Sequence, residues 1–223
     1  MQDRKTLNVL ALYPERLNIL LELANESCGF ELFNVFKNMT GENTGLYVPN
    51  REYKVTFHNW YENKYSLDPK GCYALGVIGT RSKELVFNTF HKYAGAKKGQ
   101  FNNLVHPTSY ISNSARLDYG LQMGPLSSIS VLTRVGFGVT IKRNCNIGHH
   151  CHIGNYATIN PGVSISGFVT IGNNSLIGTG SIVKDGLKIG SNSIIGSGSN
   201  VVKDIPDNCV AYGNPCVVHR INE

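Results

Sequence analysis

Residues 147–171 read IGHHCHIGNYATINPGVSISGFVTI, with isoleucine at 147, 153, 159, 165 and 171. Working outward, the same phase holds upstream through Ile141, Val135, Ile129, Met123, Leu117 and Ile111, and downstream through Ile177, Val183, Ile189, Ile195 and Val201. A period of six fits neither the 3.6 of an α-helix nor the simple alternation of a half-buried strand. A short fixed period signals a solenoid. Four residues after each aliphatic hit the side chain is compact or apolar, as at Ala115, Leu121, Val139, Cys145, Cys151, Ala157, Val163, Ser175 and Leu187. Short strands joined by corners turn one side of a triangle per hexad, so three hexads close a coil. The aliphatic residue and its i+4 partner then face inward and stack on their counterparts about 4.8 Å away. Gly124, Gly136, Gly148, Gly154, Gly172, Gly178, Gly190 and Gly196 follow the aliphatic residue, where the corner is expected to require a residue without a Cβ. This half of the chain is a parallel β-helix of about five coils.

The first hundred residues are organised differently. Leu7 to Tyr13 reads as a buried strand, and Arg16 to Asn25 has Leu17, Leu20, Leu21 and Ala24 at helical spacing. Phe30 to Phe36, Tyr53 to His58 and Cys72 to Ile78 read as strands. Thr80 or Ser82 is expected to cap a helix through Lys83 to Tyr93, with Leu85, Val86, Phe90 and Tyr93 on one face. The order β-α-β-β-β-α predicts a small open sheet of Rossmann-like α/β type in residues 1–106. The coil and a C-terminal tail occupy 107–223, and the whole is predominantly β.

The 223 residues carry 21 Lys and Arg against 15 Asp and Glu, for a formal charge of +6. The cations are dispersed, Lys97-Lys98 being the dense pair in the middle of the chain. Attraction of a phosphorylated ligand is one reading of this balance, and solubility is the other. No basic helix or aromatic RNA-binding motif appears, which argues against nucleic acid as a partner. No apolar run approaches the length needed to span a bilayer, and the opening MQDRK leads to a short apolar stretch unlike a signal peptide. A cytoplasmic protein is the expectation. The six cysteines form no CxxC pair, and Cys145 and Cys151 fall at inward positions, as small core fillers do.

The hexad at 147–152 carries His149, His150 and His152. Positions 147 and 151 face inward, so the histidines project outward or lie at the corner. Acyl transfer from a thioester to an amine or hydroxyl needs a base that works near neutral pH, and imidazole suits that role. Three imidazoles could instead hold zinc, although His149 and His150 are adjacent on a turn and diverge.

The repeat, aliphatic-Gly-x-x-small-x, resembles that of the hexapeptide-repeat transferases, whose coil is left-handed, over residues 107 to 215. With Leu104-Val105-His106-Pro107 at the junction and Ile111-Ser112 starting the prism, the arrangement looks like the sialic acid O-acetyltransferase and nucleotide-amino-sugar N-acetyltransferase family. The resemblance implies a homotrimer with sites in the clefts between prisms. It also implies acetyl-CoA as donor, a sugar or nucleotide-sugar acceptor, and no metal. The family motif aliphatic-x-His-acidic-Cys carries its base onto His149, with His150 where the acidic residue stands. The family's glycine, whose N–H meets the acetyl carbonyl, is Gly167. The outward coenzyme contacts correspond to Thr158, which replaces a histidine of some members, Thr179 and Ser197. The family's Gly-rich phosphate turn is here Tyr13-Pro14-Glu15-Arg16, without glycine, and Arg16 is the candidate acceptor contact. Near the C-terminus Cys216 replaces the usual alanine after Pro215. The same coil type also serves non-catalytic binding or scaffold proteins and carbonic anhydrase-like zinc enzymes. The expected activity is acetyl transfer to a sugar amino or hydroxyl group by direct attack in a ternary complex.

Overall fold

The structure, a computed structural model, describes residues 5–11, 14–37, 53–60, 67–77 and 79–223. The chain divides into two compact units, Met1–Leu104 and Val105–Glu223. It is mostly β, with two α-helices among the described residues.

In the N-terminal unit β1 (Lys5–Leu10) is followed by α1 (Pro14–Cys28), β2 (Phe30–Lys37), β3 (Lys54–Asn59), β4 (Cys72–Leu75) and α2 (Thr80–Ala94). The strands form one parallel sheet in the order β3-β2-β1-β4. Leu7 and Val9 of β1 and Phe33 and Val35 of β2 are buried together with Leu17, Leu21 and Ala24, which share the inner stripe of α1. Strand β1 ends earlier than expected. Ala11 takes φ 71°, a left-handed conformation, and its N–H turns to the carbonyl of Phe36 at 3.0 Å. Tyr13, the expected strand end, and Ile78, the expected end of β4, lie outside the described residues.

Helix α2 corrects two expectations. It starts at Thr80 behind Gly79, and no side chain caps it, so neither Thr80 nor Ser82 has that role. Its inner face is Lys83, Val86, Phe87 and Phe90. Leu85 and Tyr93 are each 68% exposed, because a helical stripe through Val86 and Phe90 continues at Lys83 and Phe87 and leaves them on the opposite side.

In the second unit each hexad contributes one two-residue strand, and strands pair in parallel with the strand eighteen residues away, giving a left-handed-helix-like solenoid with three faces. The first face stacks Tyr110–Ile111, Ser128–Ile129, Asn146–Ile147, Ser164–Ile165, Ile182–Val183 and Asn200–Val201. On the second lie Arg116–Leu117, Arg134–Val135, His152–Ile153, Thr170–Ile171 and Lys188–Ile189. The third runs through Gln122–Met123, Thr140–Ile141, Thr158–Ile159, Leu176–Ile177 and Ile194–Ile195. It ends in an antiparallel hairpin of Cys209–Gly213 and Cys216–Ile221, so the tail extends this face beyond the last coil.

From Met123 to Val201 every aliphatic position of the period is buried, each contributing about 1.5–3 kcal/mol relative to exposure. The i+4 positions make a second column. At most of the positions where that residue is Ser, Thr or Cys, its side chain donates to a carbonyl fifteen residues on: Ser127 to Lys142 at 2.8 Å, Thr133 to Gly148 at 2.7 Å, Cys151 to Ser166 at 3.1 Å and Ser175 to Gly190 at 2.6 Å. Several also accept the N–H of the residue stacked next in the column, as Thr133 does from Cys151 at 3.2 Å. Buried hydroxyls are thereby satisfied rather than merely small.

The glycines after the aliphatic residue serve a different purpose from that expected. They do not hold the left-handed corner, which falls two residues later at positions such as Asn144, His150, Tyr156, Phe168 and Asn174. At Gly148 an added Cβ would come within 2.5 Å of the Ser166 backbone, so close stacking of successive coils is what excludes a side chain.

Candidate active site

His149 and His150 occupy the corner between the first and second faces, and both are exposed. One coil further on, the corresponding corner residues are Gly167 and Phe168, joined to the first pair by the Phe168 N–H donating to the His149 carbonyl at 2.9 Å. An ideal Cβ on Gly167 would lie 2.6 Å from Cε1 and 2.7 Å from Nε2 of His149. The imidazole therefore rests in the space a side chain would fill. This is why the hexad at 165–170 carries its glycine two places after the aliphatic residue. The Gly167 carbonyl accepts from the Gly186 N–H at 3.0 Å, while its own N–H enters no backbone bond of the coil.

The His149 ring is fixed from two sides. Its Nδ1 lies 3.1 Å from Nδ1 of His150, and its ring meets that of Phe168 edge-on, with centroids 5.0 Å apart. His150 stacks on Phe168 at 4.8 Å and 25°. Two Nδ1 atoms share one proton in such a contact. When His149 Nδ1 carries it and His150 accepts, His149 Nε2 is left with a free lone pair, the form a general base requires. The contact with His150 holds the ring without supplying negative charge. Phe168 was not anticipated from sequence. Its signal is an aromatic residue at a corner position eighteen after His150, where it is 58% exposed.

Cys151, next to the histidine pair, is buried and has its thiol on the Ser166 carbonyl. Burial pushes the thiols of Cys145 and Cys151 above the ordinary thiol range. Neither is an exposed nucleophile. No group of three His, Cys, Asp or Glu converges as a metal site among the described residues. His152 lies on the second face, beyond the corner that holds its two neighbours.

Within the coil, the other candidates do not join this cluster. Thr179 and Ser197 are exposed and stacked, Gly198 N–H donating to the Thr179 carbonyl at 2.8 Å, but they stand on the corner after the third face. Thr158 is a correction. It occupies the outward position of a third-face strand yet is 1% exposed, so its side chain is covered rather than open to a ligand. Nor does it share the corner of Thr179 and Ser197, because a spacing of 21 exceeds the 18-residue coil. Arg16 sits half-buried in the first turn of α1, which opens at Pro14, a position where a missing N–H costs no helical bond. Of the turn containing it, Tyr13 lies outside the described residues.

Residues 132–167 and 168–203 each match the family described as "Bacterial transferase hexapeptide (six repeats)". Residues 132–203 therefore carry the bacterial transferase hexapeptide repeat. Over nearly its whole length the chain is similar to PerB from Caulobacter crescentus, solved in complex with CoA and GDP-perosamine. The identity is 19%, the coverage 98% of both chains and the TM-score 0.77. WeeI from Acinetobacter baumannii AYE matches at 17% identity, with 96% of this chain and all of that one covered, at a TM-score of 0.78. The acetyltransferase domain of PglB from Neisseria gonorrhoeae FA1090, in complex with acetyl coenzyme A, matches at 23% identity over 97% of this chain and 100% of that one, at a TM-score of 0.72. The likeness at these identities is one of fold. No curated protein sequence matches the chain.

Proposed function

We propose that this protein is an acetyl-CoA-dependent acetyltransferase acting on the amino group of a nucleotide-linked sugar. The observation that carries the reading is the His149 imidazole seated over Gly167 and tied at Nδ1 to His150, on a hexapeptide coil. The full-length fold likeness to PerB, complexed with CoA and GDP-perosamine, and to the acetyl coenzyme A complex of the PglB domain supports both donor and acceptor class. In the reaction His149 Nε2 removes a proton as the amine attacks the thioester carbonyl. A C–N bond forms, the C–S bond breaks, and the proton passes to the departing thiolate. Gly167 N–H is the candidate donor to the oxygen on which charge develops.

The finer architecture belongs to the same proposal. An all-parallel β3-β2-β1-β4 sheet supports a Rossmann-like unit in residues 1–106 as the acceptor-binding domain, with Arg16 its candidate contact. The eighteen-residue register supports about five coils in 107–223. Thr179 and Ser197, the remaining candidate coenzyme contacts, lie on a different edge of the prism from His149 and Gly167. A homotrimer in which one copy's edge faced another's would bring both to one ligand. No helix of the described residues is long and apolar enough to cross a membrane, and a cytoplasmic location suits both reactants.

The test is turnover with acetyl-CoA and a panel of nucleotide amino sugars. Wild-type transfer that is lost in His149→Ala supports the reading, and undiminished turnover of that variant removes the base assignment. Calorimetry that detects no acetyl-CoA binding at millimolar concentration would leave a scaffold coil instead.

A further inference from the structure

Three of the cations scattered along the sequence, Arg116, Arg134 and Lys188, are aligned on the second face of the coil. Arg116 and Arg134 are directly paired in register, and Arg134 is paired on its other side with His152. All three are exposed at outward positions. Thr170 and Lys188 continue the column. Like charges directly opposite across a ladder repel, and no ion pair joins either guanidinium to a carboxylate among the described residues. Asp118, two residues from Arg116, accepts the Tyr119 N–H at 2.8 Å, and Asp204 accepts the N–H of Lys188 at 2.9 Å. The fold thus holds two guanidinium groups and an imidazole on three successive rungs without an ion pair among the described residues.

We propose that the Arg116–Arg134–His152 ladder is a binding site for a phosphoanhydride, the diphosphate of a nucleotide-bearing ligand. The spacing fits the chemistry. Rungs about 4.8 Å apart span about 10 Å in all, a length matched by linked phosphates of one ligand and too short for the many phosphate contacts of a nucleic acid. Guanidinium groups bind phosphate oxygens in bidentate fashion, and a single carboxylate would answer only one rung. The ladder also adjoins the reacting centre, since His152 follows His149 by three residues at the corner where the second face begins. That the diphosphate belongs to a reactant rests on the acetyltransferase reading; that this face binds one does not. Coenzyme A and a sugar nucleotide share the group.

The experiment titrates the full-length protein with inorganic pyrophosphate, coenzyme A and GDP by calorimetry. It compares Arg116→Ser/Arg134→Ser, Arg116→Lys/Arg134→Lys and the charge control Lys54→Ser/Lys70→Ser. In the serine pair, binding of pyrophosphate and of at least one nucleotide ligand is expected to weaken by about tenfold or more. The lysine pair should recover part of it, and the control should show none of the loss. The serine pair should also unfold at no lower a temperature, since repulsion is relieved. A loss confined to coenzyme A assigns the ladder to the donor, and one confined to GDP assigns it to the acceptor. Unchanged affinities in the serine pair, or no binding by wild type, overturn the site. Active wild type with an equally active serine pair rejects the ladder and leaves the transferase. Ladder-dependent binding without transfer keeps the ladder and rejects the transferase. Should the serine pair not fold, Arg134→Ser alone carries the same comparison.

Discussion

His149 depends on what its neighbours lack as much as on what they supply. Gly167 offers no side chain, and the ring fills that space. Gly167→Ala is expected to push the imidazole off its seat and lower kcat, while the melting temperature moves little because the displaced atoms end a flexible side chain. Steady-state kinetics beside a thermal melt read the two separately. For His149→Ala the expected fall in kcat is about 10²- to 10⁴-fold, the usual worth of a general base. His150 adds a conflict of its own. It holds φ 57°, a left-handed conformation that a β-carbon disfavours by about 1–2 kcal/mol. Asparagine tolerates that conformation better, so His150→Asn should raise stability by about 0.5–1 kcal/mol and lower kcat by loosening the His149 ring. A variant that keeps its full rate would remove the orienting role assigned to His150.

At the scale of the element, the coil is held by two inward columns of different chemistry. Truncating the aliphatic column, as in Ile159→Ala, should cost about 2–5 kcal/mol by chemical denaturation. In the polar column Thr133 both donates to the Gly148 carbonyl and accepts the Cys151 N–H. Thr133→Val keeps the shape and removes both bonds, for an expected loss of about 1–3 kcal/mol, and Thr133→Ser should restore most of it. Elements of the N-terminal unit were harder to read. Leu85 and Tyr93 look like core residues by hydrophobicity, but the helix turns them outward once Val86, Phe87 and Phe90 face the core. One hundred degrees per residue leaves room for more than one apolar stripe, and only packing chooses between them.

For the whole molecule, the thiols give a pH signature. Burial raises Cys145, Cys151 and Cys216 above their unfolded values. Their contribution to stability is complete below the ordinary thiol value of about 8.5, and it is lost as pH rises through the folded-state values. Urea midpoints should accordingly decline in the alkaline range, and Cys145→Ala/Cys151→Ala should flatten that decline. The proposed sharing of a site between copies gives a second expectation. Activity per chain should fall on dilution in step with dissociation measured by sedimentation. A monomer that retains full activity would place the whole site on one prism.

The hexad period by itself determined the solenoid, because a six-residue rhythm of aliphatic residues has a single economical burial, three strands to a coil. The same rhythm located His149 at a corner and Cys151 inside, since inward and outward positions follow from the count. What the tertiary structure decided were relations across coils. The seat of His149 on Gly167, the stack of His150 on Phe168 and the line of Arg116, Arg134 and His152 all join residues eighteen apart. In a linear reading those cations are dispersed and Thr158 is an open outward residue. Stacking at one coil's spacing puts Arg116 against Arg134, and packing covers Thr158, because neighbours in space are set by register and burial and not by order along the chain.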